Sequence, residues 1–187
     1  MTEASHQICS NPVPPAPHIP GSVGFPHGDI ELRIVDGNGD VVPRGTKGEV
    51  CIRGPSITKG YLGNAEANAS ASTEDGFFRT GDYGKEDESG RLFLTGRIKE
   101  FINKGGEKIS PVELDHIIGV HPMVADVVAF AIHDDMYGQD VGAAVCLHEG
   151  SLVEKQDLQK WVRERIAAHK VPKKVHLRAP RGFWHRS

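Results

Sequence analysis

Residues able to do chemistry gather in four short segments. Thr2-Glu3 puts a hydroxyl beside a carboxylate. Gly48-Glu49-Val50-Cys51-Ile52-Arg53-Gly54-Pro55, followed by Gly60-Tyr61, mixes an apolar run with glycines and an aromatic. Phe78-Arg79-Thr80-Gly81-Asp82 sets a second carboxylate directly after a glycine. The longest is Gly96-Arg97-Ile98-Lys99-Glu100-Phe101-Ile102-Asn103-Lys104-Gly105-Gly106-Glu107-Lys108-Ile109-Ser110-Pro111-Val112-Glu113. A carboxylate offers hard oxygens to a divalent cation, usually shared with phosphates. It can equally accept from two neutral hydroxyls at once. A Gly-Gly pair lets backbone approach a thin ligand, because no side chain intervenes. Each segment alone also has an ordinary reading. Thr2-Glu3 could be a mobile terminus, Gly48 to Tyr61 a strand and turn with a packed aromatic, Asp82 a turn residue, and Lys104 an exposed hairpin residue.

Other chemistries are excluded by spacing. The ten histidines form no metal pattern, and His116 and His121 lack the His-Glu-x-x-His arrangement of a zinc protease. Asp36-Gly37-Asn38-Gly39-Asp40 suggests a calcium loop, but the closing glutamate is missing at the required distance, so a hairpin turn is the reading. Cys9, Cys51 and Cys146 are odd in number and far apart, which argues against a disulfide framework or a zinc knuckle. With a net charge of -3 and no basic run, nucleic acid is not the expected partner. No apolar stretch approaches a membrane span.

The elements that must position these residues change character along the chain. Six prolines between Pro12 and Pro26 predict an extended, irregular opening. Ile30, Leu32 and Ile34 alternate with Glu31 and Arg33, which predicts a half-buried strand. Val50 with Ile52, and Arg91 to Leu94, predict two more; Gly81, Gly84 and Gly90 predict loop between them. Beyond Gly96, Ser110-Pro111-Val112-Glu113 is a helix start, expected to run to about His121 with Val112, Ile117 and Val120 near one face. Val124 to Ile132 and Val141 to Leu147 read as strands. Glu154 to about His169 reads as an amphipathic helix with Leu158, Trp161, Val162 and Ile166 on one face, and Val175 to Leu177 as a last strand. The expectation is an α+β protein of two units, 1–97 and 98–187, with a joint near Arg97 to Lys99.

In order and spacing, the four segments together resemble the adenylate-forming, or AMP-dependent synthetase/ligase, superfamily. Met1-Thr2-Glu3 resembles the end of its Tyr-Gly-Met-Thr-Glu motif, Phe78 to Asp82 its aromatic-(Arg/Lys)-Thr-Gly-Asp motif, and Gly96 to Glu113 its Gly-Arg…Gly-x-x-(Ile/Val)-x-Pro-x-Glu motif. The Gly-Gly-Glu-Lys-Ile-Ser-Pro wording and the opening Met-Thr-Glu-Ala-Ser-His-Gln narrow the resemblance to acyl-CoA synthetases of the oxalate-CoA ligase branch, near 4-coumarate-CoA ligase-like enzymes. The resemblance implies that 1–97 is the β-rich end of the large AMP-binding domain and that 98–187 is the small α+β C-terminal domain, altered after about 177. It implies ATP/AMP, Mg²⁺ and coenzyme A as cofactors and a small carboxylic acid as substrate. By the same resemblance Thr2 lies near the phosphates, Glu3 holds Mg²⁺, Asp82 and Arg97 reach the ribose, Lys99 is the hinge, and Gly105 and Gly106 line the pantetheine tunnel. Asn103 and Lys108 would face nucleotide or substrate, where many relatives carry lysine and glutamine, and His6 would approach the acyl group.

Two family features have no counterpart in these residues. Ala69-Ser70-Ala71-Ser72-Thr73 lacks the glycines and lysine of the Ser/Thr/Gly-rich phosphate loop. After Lys170-Val171-Pro172 the chain does not reach the Gly-Lys whose lysine catalyses adenylation, so no catalytic residue is nominated. The expectation is a C-terminal piece of a ligase, truncated at both ends and inactive alone, in the cytoplasm or a peroxisome. The alternative is a non-catalytic nucleotide- or CoA-binding module that docks on a full-length paralogue. A carrier-protein-dependent adenylation domain ranks last, since no carrier segment follows.

Overall fold

The proline-rich opening contributes only two short strands, β1 (Cys9–Ser10) and β2 (Phe25–Pro26), which pair antiparallel. The computed structural model describes residues 1–5 and 7–178 and is α+β, mostly strand with three helices. It divides into two units, Met1–Lys99 and Glu100–Ser187; the sequence set the joint slightly earlier, after Arg97.

The first unit is built on a four-stranded antiparallel sheet. The alternating segment forms β3 (Glu31–Val35), and β4 (Gly48–Arg53) pairs with it from Glu31↔Arg53 to Val35↔Glu49. The Asp36 to Asp40 stretch is indeed a turn: Asp36 Oδ1 accepts from the backbone N–H groups of Asn38 and Asp40, at 2.8 and 3.0 Å. A short helix, α1 (Ala65–Ala71), is capped by Asn64, whose side chain accepts from Ala67 N. The glycine-rich stretch read as loop is instead the longest strand of this sheet, β5 (Phe78–Glu86), lying between β4 and β6 (Leu92–Arg97). Gly84 explains the misreading. A Cβ there would sit 2.6 Å from Phe93 O and 3.3 Å from a Val50 methyl, so here glycine marks close strand approach and not a break. Ile30, Ile34, Val50, Ile52, Phe78 and Leu92 form the core, and Ala4 joins them.

In the second unit β7 (Ile102–Lys104) and β8 (Glu107–Ile109) form a hairpin, followed by α2 (Pro111–Gly119). Ser110 caps α2 as expected, accepting from Glu113 N, with Pro111 in the first turn. The buried face is not the expected one. Leu114 and Ile118 are buried one turn apart, whereas Val112 and Val120 are exposed. β9 (Val124–Asp134) runs antiparallel along the whole of β10 (Gly138–Leu147). From β10 the chain crosses through α3 (Lys155–Arg163) and returns as β11 (Lys174–Arg178), parallel to β10, which is the connection parallel pairing requires. Leu158 and Val162 of α3 are buried and Trp161 and Ile166 pack partly beside them, but the helix stops at Arg163. Ala168–Lys170 form a separate turn ahead of Pro172, which disfavours helix at the residue before it. Among the described residues no helix is long and apolar enough to cross a membrane.

Candidate functional site

The Thr80-Gly81-Asp82 triplet is a bulge. On β4, Glu49 faces Tyr83 and Cys51 faces Arg79, so three residues of β5 oppose Val50 alone. Thr80 closes the bulge by donating its hydroxyl to Val50 O at 2.8 Å and accepting from Asp82 N at 3.0 Å. Gly81 takes φ +71° inside it. A second irregularity in β6 places Arg97 directly across from Asp82. Arg97 Nε lies 3.0 Å from Asp82 Oδ1, with side chains 59% and 19% exposed. Two candidates fifteen positions apart in sequence are thus one cross-strand ion pair. Beside them Arg79 pairs with Glu49 at 2.8 Å.

Glu3 lies in a 3-10 turn, Thr2–Ala4. It is not the mobile residue its nearness to the terminus suggests. Its carbonyl accepts from Thr58 N at 2.7 Å, its carboxylate accepts from the Tyr61 hydroxyl at 3.1 Å, and Ala4 is fully buried. Ser5 ends the turn in the left-handed region, φ 39°, an unfavourable conformation for a non-glycine that the surrounding contacts must hold. Thr2 is exposed, and His6 lies outside the described residues. Burial and then the Glu3 hydrogen bond raise the Tyr61 phenol above its ordinary pKa. The aromatic read as purely structural therefore touches a nominated ligand. Among the described residues no group of three or more His, Cys, Asp or Glu side chains is arranged to hold a metal ion by itself. A single fixed carboxylate is still the donor set magnesium uses when phosphates supply the rest.

In the second unit, Gly105 and Gly106 form the two-residue turn between β7 and β8, both with positive φ, +58° and +94°. That is the backbone such a tight hairpin demands, so glycine is required here by the turn itself. A Cβ on Gly105 would also meet the Tyr137 ring at 2.9 Å. Asn103 and Lys108 are cross-strand partners in this hairpin, both exposed. Asn103 Oδ1 accepts from Gly106 N at 3.1 Å and so braces the turn. Lys104, read as an exposed hairpin residue, is not exposed. Its ammonium lies 2.6 Å from Asp140 Oδ1, with side chains 15% and 4% exposed, and 5.6 Å from the Tyr137 ring centre. Gly105 N donates to Tyr137 O, and Asn103 N to Gln139 Oε1, so β10 and the residues before it hold the hairpin rigidly. Lys99 is the exposed last residue of the first unit, within the turn Ile98–Glu100. Cys51 is buried and Cys9 half-buried, and burial pushes both thiols up to about 11, as befits packing residues.

Residues 1–62 match the model of the AMP-binding enzyme family, and residues 113–181 match that of the AMP-binding enzyme C-terminal domain. The chain belongs to the AMP-binding enzyme family. Asp82, Arg97 and the hairpin fall between the two matches, in an interval that alignments over 178 residues to relatives span. Over 178 residues, 95% of this chain, it is 49% identical to the oxalate–CoA ligase of Arabidopsis thaliana, covering 34% of that protein. It is likewise 49% identical to the oxalate–CoA ligase of Saccharomyces cerevisiae over 95% of this chain and 33% of that one. The ATP-bound crystal structure of MatB from Rhodopseudomonas palustris matches with a TM-score of 0.88 at 32% identity, over 95% of this chain and 35% of MatB. The resemblance carried by the four segments is therefore the relationship the comparisons return. The chain spans about a third of the length of the relatives it matches.

Proposed function

We propose that the chain supplies the ribose, magnesium and pantetheine contacts of an ATP-dependent acyl-CoA synthetase. In that reaction a carboxylate attacks the α-phosphate of ATP to give an acyl-adenylate and pyrophosphate, and the CoA thiol then displaces AMP. The observation that carries the reading is the Asp82–Arg97 pair, built by two coincident strand irregularities at 3.0 Å. Asp82 accepts from the ribose hydroxyls, and Arg97, held beside it, reaches the same ribose. Thr2 lies toward the phosphates, and Glu3 is the residue that would hold Mg²⁺. The ion, when bound, would neutralise phosphate charge. Gly105 and Gly106 present bare backbone to pantetheine, and their turn is stiffened by Lys104 and Asp140. Asn103 and Lys108, on the same hairpin, would contact nucleotide or substrate, His6 would serve the acyl group, and Lys99 would be the hinge. The likeness to oxalate–CoA ligases favours a small dicarboxylate such as oxalate as the acid.

The test is a chimera in which residues 1–178 replace the matching segment of the Saccharomyces cerevisiae oxalate–CoA ligase. Asp82→Ala should cost about 1–3 kcal/mol, the range for leaving hydroxyl donors without their acceptor. That appears as a KM for ATP raised by roughly 5- to 150-fold, with the KM for CoA unchanged. Unchanged ATP kinetics would remove Asp82 from the site.

A further inference from the structure

Tyr61 ties the segment carrying Glu3 to the strand carrying Asp82. Its hydroxyl donates to Glu3 Oε1 at 3.1 Å, and its ring meets Phe78, the first residue of β5, edge-on with centroids 6.4 Å apart. One side chain grips its backbone at both ends. Asn68 Oδ1 accepts from Tyr61 N at 2.6 Å, and Asn68 Nδ2 donates to Tyr61 O at 2.8 Å. Asn68 sits on α1, none of whose residues is buried. Gly60 makes room for it: a Cβ there would stand 2.8 Å from Asn68 Oδ1. Thr58 N, on the same loop, fixes the Glu3 carbonyl.

We propose that Tyr61 is a positioning residue for Glu3, holding its carboxylate in place for the Mg²⁺ that accompanies ATP. The proposal rests on the magnesium reading of Glu3 given above. Tyr61 is 40% exposed, so its hydroxyl could be satisfied by water; the backbone clamp and the Phe78 contact aim it at the carboxylate instead. Magnesium tolerates little departure from octahedral geometry, so an oxygen that wanders among rotamers serves it poorly. A phenol is the donor suited to fixing that oxygen. It is neutral, so the carboxylate keeps its full charge, which a lysine or arginine partner would offset. One donor on Oε1 leaves acceptor positions for a cation.

The experiment uses the full chain, with Mn²⁺ standing in for Mg²⁺, and measures ATP affinity with Mn²⁺ and again in EDTA. Tyr61→Phe keeps the ring and the backbone clamp and deletes only the hydroxyl. The expected result is a Mn²⁺-dependent gain in affinity reduced about tenfold in Tyr61→Phe and absent in Glu3→Gln, with affinity in EDTA equal in all three. Bound Mn²⁺, counted by electron paramagnetic resonance, should follow the same order. A Tyr61→Phe chain that keeps the whole gain while Glu3→Gln loses it overturns the Tyr61 role alone. A Glu3→Gln chain that keeps the gain, or an unaltered chain that shows none, overturns the magnesium reading and the proposal with it.

Discussion

Lys104→Met should destabilise the second unit severely while leaving its hairpin turn sequence intact. Lys104 and Asp140 are 15% and 4% exposed and 2.6 Å apart, so the substitution strands a carboxylate that water barely reaches. Removing one member of a buried pair typically costs about 3–5 kcal/mol. Two features pull the value toward the lower end. Asp140 Oδ1 also accepts from Val141 N at 2.7 Å, and Lys173 feels the Asp140 charge. About 3 kcal/mol is expected, which for a unit of this size is a fall in melting temperature of about 10–25 °C. Urea denaturation followed by tryptophan fluorescence reads the right unit, because Trp161 packs against its core. Lys104→Met combined with Asp140→Leu should recover most of the loss, since an apolar pair of similar volume avoids desolvating two charges. A loss below about 1 kcal/mol, the value of a solvent-exposed pair, would refute the argument from burial.

Three further outcomes are expected. Asp134 is held down at about 2 by Lys173 beside it and by the Tyr137 N–H. Because its folded pKa is depressed from 3.8, its contribution is complete above about pH 4 and is lost as pH falls toward 2; Asp134→Asn should flatten that part of the acid-unfolding curve. Trypsin should cut first near Lys99, which is exposed at the unit boundary, and leave a resistant C-terminal piece; even digestion throughout that piece would count against the boundary. Incubated with ATP, Mg²⁺, CoA and acids including oxalate, residues 1–187 by themselves should release no pyrophosphate and form no thioester, since Ala69 to Thr73 offers no phosphate-binding glycines or lysine and residues 173–187 contain no Gly-Lys. Turnover near that of an intact ligase would overturn that view, and would point to the residues after Arg178, including Arg181 and Arg186, which lie outside the described residues.

Local chemistry made much of this protein legible from its residues in order. Ser110-Pro111 starts a helix because a hydroxyl and a ring with fixed φ satisfy its first turn wherever they occur. Alternation across Ile30, Leu32 and Ile34 makes a strand for the same local reason. Motif order carried the family. What pairs with what could not be read that way, because partners distant in sequence meet only when strands register. The β5 bulge sets three residues against Val50, and the irregularity in β6 faces Asp82 with Arg97. Gly84 signalled a loop in sequence and serves a crowded strand in the fold, because the atoms excluding a Cβ come from β4 and β6. Lys104 looked like a solvated hairpin residue until β10 brought Asp140 against it. Likewise Val112 looked apolar enough for the core, but the sheet lies on the side of α2 that Leu114 and Ile118 face. Residue types and spacing determined the local elements and the family; tertiary packing alone decided which charges are buried together, because burial belongs to neighbours the chain supplies from elsewhere.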